Sequence, residues 1–138
     1  MTFHLIGPQT WSEVPAVLTY EPSEPFAVGI VFGGSPDDAD DDGVQWLLSR
    51  DLLRAGLSRP AGEGDVRLWP ARTGSDALFL QLRAPSGEAL FEVSRPEVFD
   101  FLAQTERLVA RGREADLLQV DEELQALLQG DGTDPGGR

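Results

Sequence analysis

The hydrophobic period of this chain shifts from two residues to 3.6 near residue 94, and that shift narrows the folds open to it more than any other feature. Before it, short runs follow a two-residue repeat: Phe26-Ala27-Val28-Gly29-Ile30-Val31-Phe32 sets large residues against Ala and Gly, and Asp65-Val66-Arg67-Leu68-Trp69 alternates polar with apolar. After it, Val98, Phe101, Leu102, Thr105, Leu108 and Val109 keep helical spacing. A two-residue repeat lines one face of a strand, and a 3.6-residue repeat lines one stripe of a helix. Strands first and helices last predict an α+β architecture: a strongly curved antiparallel sheet backed by helices.

The punctuation between runs supplies the elements. Val14 to Tyr20 reads as a strand closed by a turn over Pro22 to Pro25. The 26–32 run and Val44-Gln45-Trp46-Leu47-Leu48 flank a polar loop and form a hairpin. Ser49 caps a short helix, Asp51 favours its positive end, and Gly56-Leu57 resembles a Schellman stop. Arg59 to Gly64 reads as a loop. The 65–69, 76–83 and 88–93 runs make a three-stranded meander, the last two joined across Pro85-Ser86-Gly87. Ser94-Arg95-Pro96-Glu97 fits a capping box with Pro in the first turn, and Gly112 ends that helical run. A final helix is expected from an Asp121 cap, with Val120, Leu124, Leu127 and Leu128 on one face, stopping at Gly130. Residues 1–129 then form one domain, and 130–138 are a tail disordered by composition.

A chain of 138 residues needs neither metal nor disulfide to fold, since a domain of that size buries roughly 70% of its unfolded surface. Its 24 acidic residues face 11 basic ones, all Arg, for a net charge of −13. Both halves are acidic, −7 over residues 1–69 and −6 over 70–138, so neither offers the positive field that nucleic-acid phosphates or anionic lipid require. Lys and Cys are absent, which excludes Schiff-base and P-loop lysines, thiol nucleophiles and cysteine zinc sites. The N-terminus lacks the basic and long apolar regions of a signal peptide, and no apolar run approaches the ~20 residues of a membrane span. A cytoplasmic protein is expected.

Few constellations promise catalysis. Asp38-x-Asp40-x-Asp42-Gly43 matches the opening of an EF-hand loop, but Ser49 stands where the closing bidentate Glu belongs. The Asp37–Asp42 run therefore reads first as a solvated hairpin loop, with weak divalent-ion binding as the alternative. His4, the only imidazole, sits near a terminus expected to fray, which suits a terminal or edge-strand residue better than a general base. Asp121, Glu122 and Glu123 complement a helix dipole. Gly62-x-Gly64 lacks the rest of a dinucleotide fingerprint. No catalytic, cofactor or metal residue is assigned.

The dense segment from Trp46 to Pro70 remains: strand, short capped helix, glycine-hinged loop, strand. Its polar residues either pin the connection by hydrogen bonds or present a surface to a partner. The candidate partner-contacting residues are Trp46, Arg50, Asp51, Leu52, Leu53, Leu57, Arg67 and Trp69.

This segment resembles the SsgA-like proteins, small regulators of cell division and spore maturation in sporulating actinobacteria. The family pattern W-x-x-x-R-D-L-L-x-x-G-L-x-x-P-x-G-x-G-D-V-R-x-W-P is met from Trp46 to Pro70. Val14 to Tyr20, Glu24 to Val28 and Ser86 to Leu90 also look like the family. The resemblance implies a fold similar to the Whirly-type single-strand nucleic-acid-binding proteins, a homo-oligomer, favoured as a trimer formed through the strands, and no enzymatic activity. The septum-site type is favoured, which implies recruitment of the division GTPase FtsZ and association with other SsgA-like proteins at sporulation septa. Cell-wall remodelling and spore separation are the alternative steps within the family. Single-strand nucleic-acid binding, prompted by the implied fold, is opposed by the charge.

Overall fold

The computed structural model describes residues 1–33, 43–72, 74–116 and 126–128. Among the described residues, eight strands alternate their side chains across one antiparallel sheet. They are β1 (Thr2–Ile6), β2 (Trp11–Thr19), β3 (Ala27–Phe32), β4 (Val44–Ser49), β5 (Ala61–Glu63), β6 (Val66–Pro70), β7 (Ala77–Ala84) and β8 (Gly87–Ser94). Helix α1 (Arg50–Gly56) lies between β4 and β5 in the chain, and α2 (Arg95–Leu108) follows β8. The strand order β4-β3-β2-β1-β8-β7-β6-β5 makes two four-stranded meanders joined where β1 pairs with β8.

The expected hairpin is present, with Val28 opposite Leu48 and Ile30 opposite Trp46. Val28, Ile30 and Leu48 are buried, as the period-2 pattern requires. The sheet curls so that side chains of β3 and β8, strands with two others between them, meet on its inner face. Phe32 of β3 stacks on Phe91 of β8 at 4.7 Å, and Phe3 of β1 meets both edge-on, at 5.2 and 5.9 Å. This triad joins the two meanders, and the remaining core of Leu68, Leu78, Leu80, Leu82 and Val93 continues into the second.

Several expectations change in three dimensions. The N-terminus is no fraying end: β1 is an internal strand with neighbours on both sides, and Phe3 is 1% exposed. His4 therefore sits on a central strand, its ring 5.8 Å from that of Trp11. The segment expected as a loop after Arg59 contains β5, which pairs with β6 and extends the meander to four strands. Gly56 is no left-handed stop, because the helix closes on Leu57 in right-handed helical geometry. Its small size serves packing: a Cβ there would lie 2.5 Å from Leu68 Cβ. Helix α2 ends at Leu108 rather than running to Gly112, which takes φ +86° in the next turn.

Both predicted N-caps are formed. Ser49 Oγ accepts from Leu52 N at 2.9 Å, and Ser94 Oγ accepts from Glu97 N at 3.3 Å. Leu127 and Leu128 are helical and exposed. The Asp37–Asp42 run, the Asp121 cap and the 130–138 tail lie outside the described residues. Among the described residues, no helix is long and apolar enough to cross a membrane, and no cluster of three metal-ligating side chains occurs.

Candidate functional site

Helix α1 is seven residues long, too short to be stable alone, so tertiary contacts must hold it. Its first residue supplies the largest of them. Arg50 is 0% exposed, and its guanidinium reaches across to the end of α2 and the turn beyond. Nη2 donates to Glu114 Oε2 at 2.7 Å, while Nη1 donates to the Val109 carbonyl at 2.8 Å and to the Thr105 carbonyl at 3.3 Å. The guanidinium also lies over the Tyr20 ring, 5.2 Å from its centre. The Arg50 Nε has no acceptor among the described residues.

Charge and burial act oppositely on these groups. The Arg50 hydrogen bond holds the Glu114 carboxyl below the usual glutamate range, with burial pulling the other way. Burial pushes the Tyr20 phenol up, opposed by the same guanidinium. Tyr20 donates its hydroxyl proton to the Pro25 carbonyl at 2.8 Å, so one cation ties the turn after β2, the start of α1 and the end of α2 together.

A second arginine works at the surface between the helices. Arg54 Nη2 meets Glu106 at 2.6 Å and Nη1 meets Asp51 at 2.9 Å. Arg95 Nε donates to the Leu57 carbonyl at 2.7 Å, satisfying one of the open carbonyls at the end of α1. Beside these contacts lie two cavities that share Arg54, Ser58 and Arg111, of about 460 and 300 Å³.

The candidate residues of the Trp46–Trp69 segment divide among three places. Arg50, Leu52 and Leu53 are buried against the chain's own core, and Leu57 is buried where it lines the smaller of these two cavities. Trp46 is half-buried on the inner face of β4, packed against that core. Asp51 is exposed on the first turn of α1. Arg67 is exposed and Trp69 half-buried on β6, the indole stacked on Phe79 with 5.8 Å between ring centres. Arg67 and Trp69 border a separate cavity of about 590 Å³ over β5 and β6.

The sequence pattern assigned Tyr20 and Thr105 places in a strand and a helix but no site role, and it did not point to Arg111 or Glu114. Glu114 follows Gly112-Arg113 with no periodic signal, and only the path of the chain after α2 brings it under Arg50. None of these groups forms a nucleophile, base and stabiliser set. The geometry describes a braced pair of helices with a charged rim.

Comparison with known proteins agrees with the segment that carried the resemblance. The family model described as Streptomyces sporulation and cell division protein, SsgA, matches residues 14–114. The chain is 44% identical over 131 residues to the sporulation-specific cell division protein SsgB of Salinispora tropica, covering 94% of this chain and 90% of that one. It is 43% identical over 118 residues to SsgB of Frankia casuarinae, covering 85% and 80%. A solved SsgB structure, from work on longitudinal cell division during sporulation of Streptomyces coelicolor, superposes with a TM-score of 0.74 at 35% identity, covering 84% of this chain and 90% of that one. An SsgA-like sporulation-specific cell division protein from Thermobifida fusca gives 0.79 at 33%, covering 90% and 89%. With a family match over 101 of 138 residues, and relatives aligned over most of both lengths, the chain belongs to the SsgA family of sporulation and cell division proteins.

Proposed function

We propose that this chain is a non-enzymatic recruiter in sporulation-specific cell division, acting in the cytoplasm at division septa to position FtsZ together with other SsgA-like proteins. The observation that carries this reading is the near full-length similarity to relatives named SsgB, in a chain whose described residues lack a convergent catalytic set. The braced helices suit a scaffold, since recruitment needs a rigid surface and no moving chemistry. The active form is a homotrimer associated through its strands, in a fold of the Whirly type that has exchanged nucleic-acid binding for protein contacts. Its charge of −13 supports that exchange.

Two measurements test this. Sedimentation of FtsZ filaments with this chain, alone and with other family members, is expected to carry it into the pellet. Its absence from the pellet in every combination overturns the recruiting role. Light scattering coupled to size exclusion is expected to give three times the 15.0 kDa chain mass, and a monomer mass overturns the trimer.

A further inference from the structure

Most of this acidic chain repels acidic partners, yet the groove between α1 and α2 does not. Its two adjoining cavities bring Arg54, Arg59, Arg95 and Arg111 to one surface, above the buried Arg50. The carboxylates beside them are Asp51, Glu106 and Glu114. Five guanidinium groups and three carboxylates leave a local charge of +2, in a chain whose net charge is −13.

The pairing sharpens the asymmetry. Arg54 holds both Asp51 and Glu106, and Arg50 holds Glu114. All three carboxylates are thus engaged, while Arg59, Arg95 and Arg111 make no ion pair among the described residues. Between these arginines the wall is apolar. Leu57 and Leu102 are buried in the floor, and Phe99 stands beside them 56% exposed. This exposed ring faces the pocket whose rim holds Arg95 and Arg111.

We propose that the groove between α1 and α2 is a docking site for an acidic segment of a partner protein, which seats a large apolar side chain beside Phe99 and its carboxylates on Arg59 and Arg111. An amphipathic segment laid along a groove uses this combination, with an apolar anchor for affinity and rim charges for orientation and encounter rate. Guanidinium groups not already held by a carboxylate supply the charge without breaking an internal ion pair. The assignment does not depend on which division protein is recruited.

The test pans a phage-displayed library of random peptides, about 12 residues long, on the full chain. Each enriched peptide is then made synthetically and its binding followed by fluorescence anisotropy. The enriched peptides are expected to carry two or more Asp or Glu residues around a Leu or Phe. They are expected to weaken at least about tenfold on an Arg59→Glu/Arg111→Glu chain, on Phe99→Ser, and on raising salt to about 0.3 M. These side chains are outside the core, and unchanged melting of each variant checks that the fold is kept. No enrichment, enriched peptides without acidic residues, or peptides indifferent to both variants overturns the proposal. A full chain carrying Asp121→Asn, Glu122→Gln and Glu123→Gln supplies the remaining control. If it binds the peptides about tenfold tighter than the parent, the chain's own acidic segment fills the groove, and a partner as its occupant is overturned.

Discussion

Replacing Arg50 by Met tests whether the buried cation holds the helical layer together. The substitution keeps an unbranched apolar stem but removes the partner of Glu114, which is 4% exposed, and a donor to the Val109 and Thr105 carbonyls. Breaking a buried ion pair from one side costs about 3–5 kcal/mol. Glu114 also borders the larger of the two helix cavities, so water can reach its carboxylate once Arg50 is gone. That access places the loss near the lower end, about 3 kcal/mol. For 138 residues this lowers Tm by about 12 °C, at about 4 °C per kcal/mol.

Urea unfolding followed by far-ultraviolet circular dichroism measures the loss, and a double-mutant cycle locates it. Arg50→Met/Glu114→Leu leaves neither charge uncompensated, and is expected within about 1 kcal/mol of the parent. An Arg50→Met cost below about 1 kcal/mol, or a double variant whose loss equals the sum of the single losses, refutes the reasoning.

The same pair sets a pH dependence. Because the Glu114 carboxyl is held low in the folded chain, its contribution is fully present above the unfolded value of about 4.3. It is lost as pH falls through that value towards the folded one. Glu114→Gln is expected to be less stable than the parent at pH 7 and to lose less on going to pH 3.5, read from urea midpoints. An equal loss in both chains removes Glu114 from the account.

Gly56→Ala is expected to destabilise by about 1–3 kcal/mol, because the new Cβ meets Leu68 Cβ rather than a movable chain end. This outweighs the helix propensity that alanine adds, about 1 kcal/mol, and a rise in Tm would contradict it. Ser49→Ala is expected to cost about 1 kcal/mol and Ser94→Ala less, since the first cap bond is 2.9 Å and part-buried and the second 3.3 Å and exposed. Thermal melts rank the two. Phe3→Ala is expected to cost about 3–5 kcal/mol by opening the aromatic triad, and a loss below 1 kcal/mol shows that β1 is dispensable to the join.

Local chemistry made much of this fold legible in advance. The alternation through Val28, Ile30 and Phe32, the Ser49 and Ser94 caps, and the change of period at residue 94 are written in neighbouring residues, and each became the element it predicted. Five residues of β1 carry too little periodicity to tell an internal strand from a fraying end. Its place depends on Phe3 meeting Phe32 and Phe91, partners 29 and 88 positions away. Gly56 misled for a similar reason: a glycine near a helix end signals a left-handed stop locally, whereas Leu68 across the fold sets its actual constraint.

The family, too, could be read from the spacing of residues 46–70, because near neighbours in sequence keep their order in any fold. What that segment does in space could not. Four of its eight candidate residues are buried, and Arg50 finds its counter-charge 64 positions later. The groove likewise gathers Arg54 and Arg59 from α1 and the residues after it, Arg95 and Phe99 from α2, and Arg111 from the turn beyond. Local order alone determines helix, strand and cap, since those depend on bonds and contacts within a few residues. Which charges are paired among the described residues, and which are not, is decided only when the fold brings the two helices together.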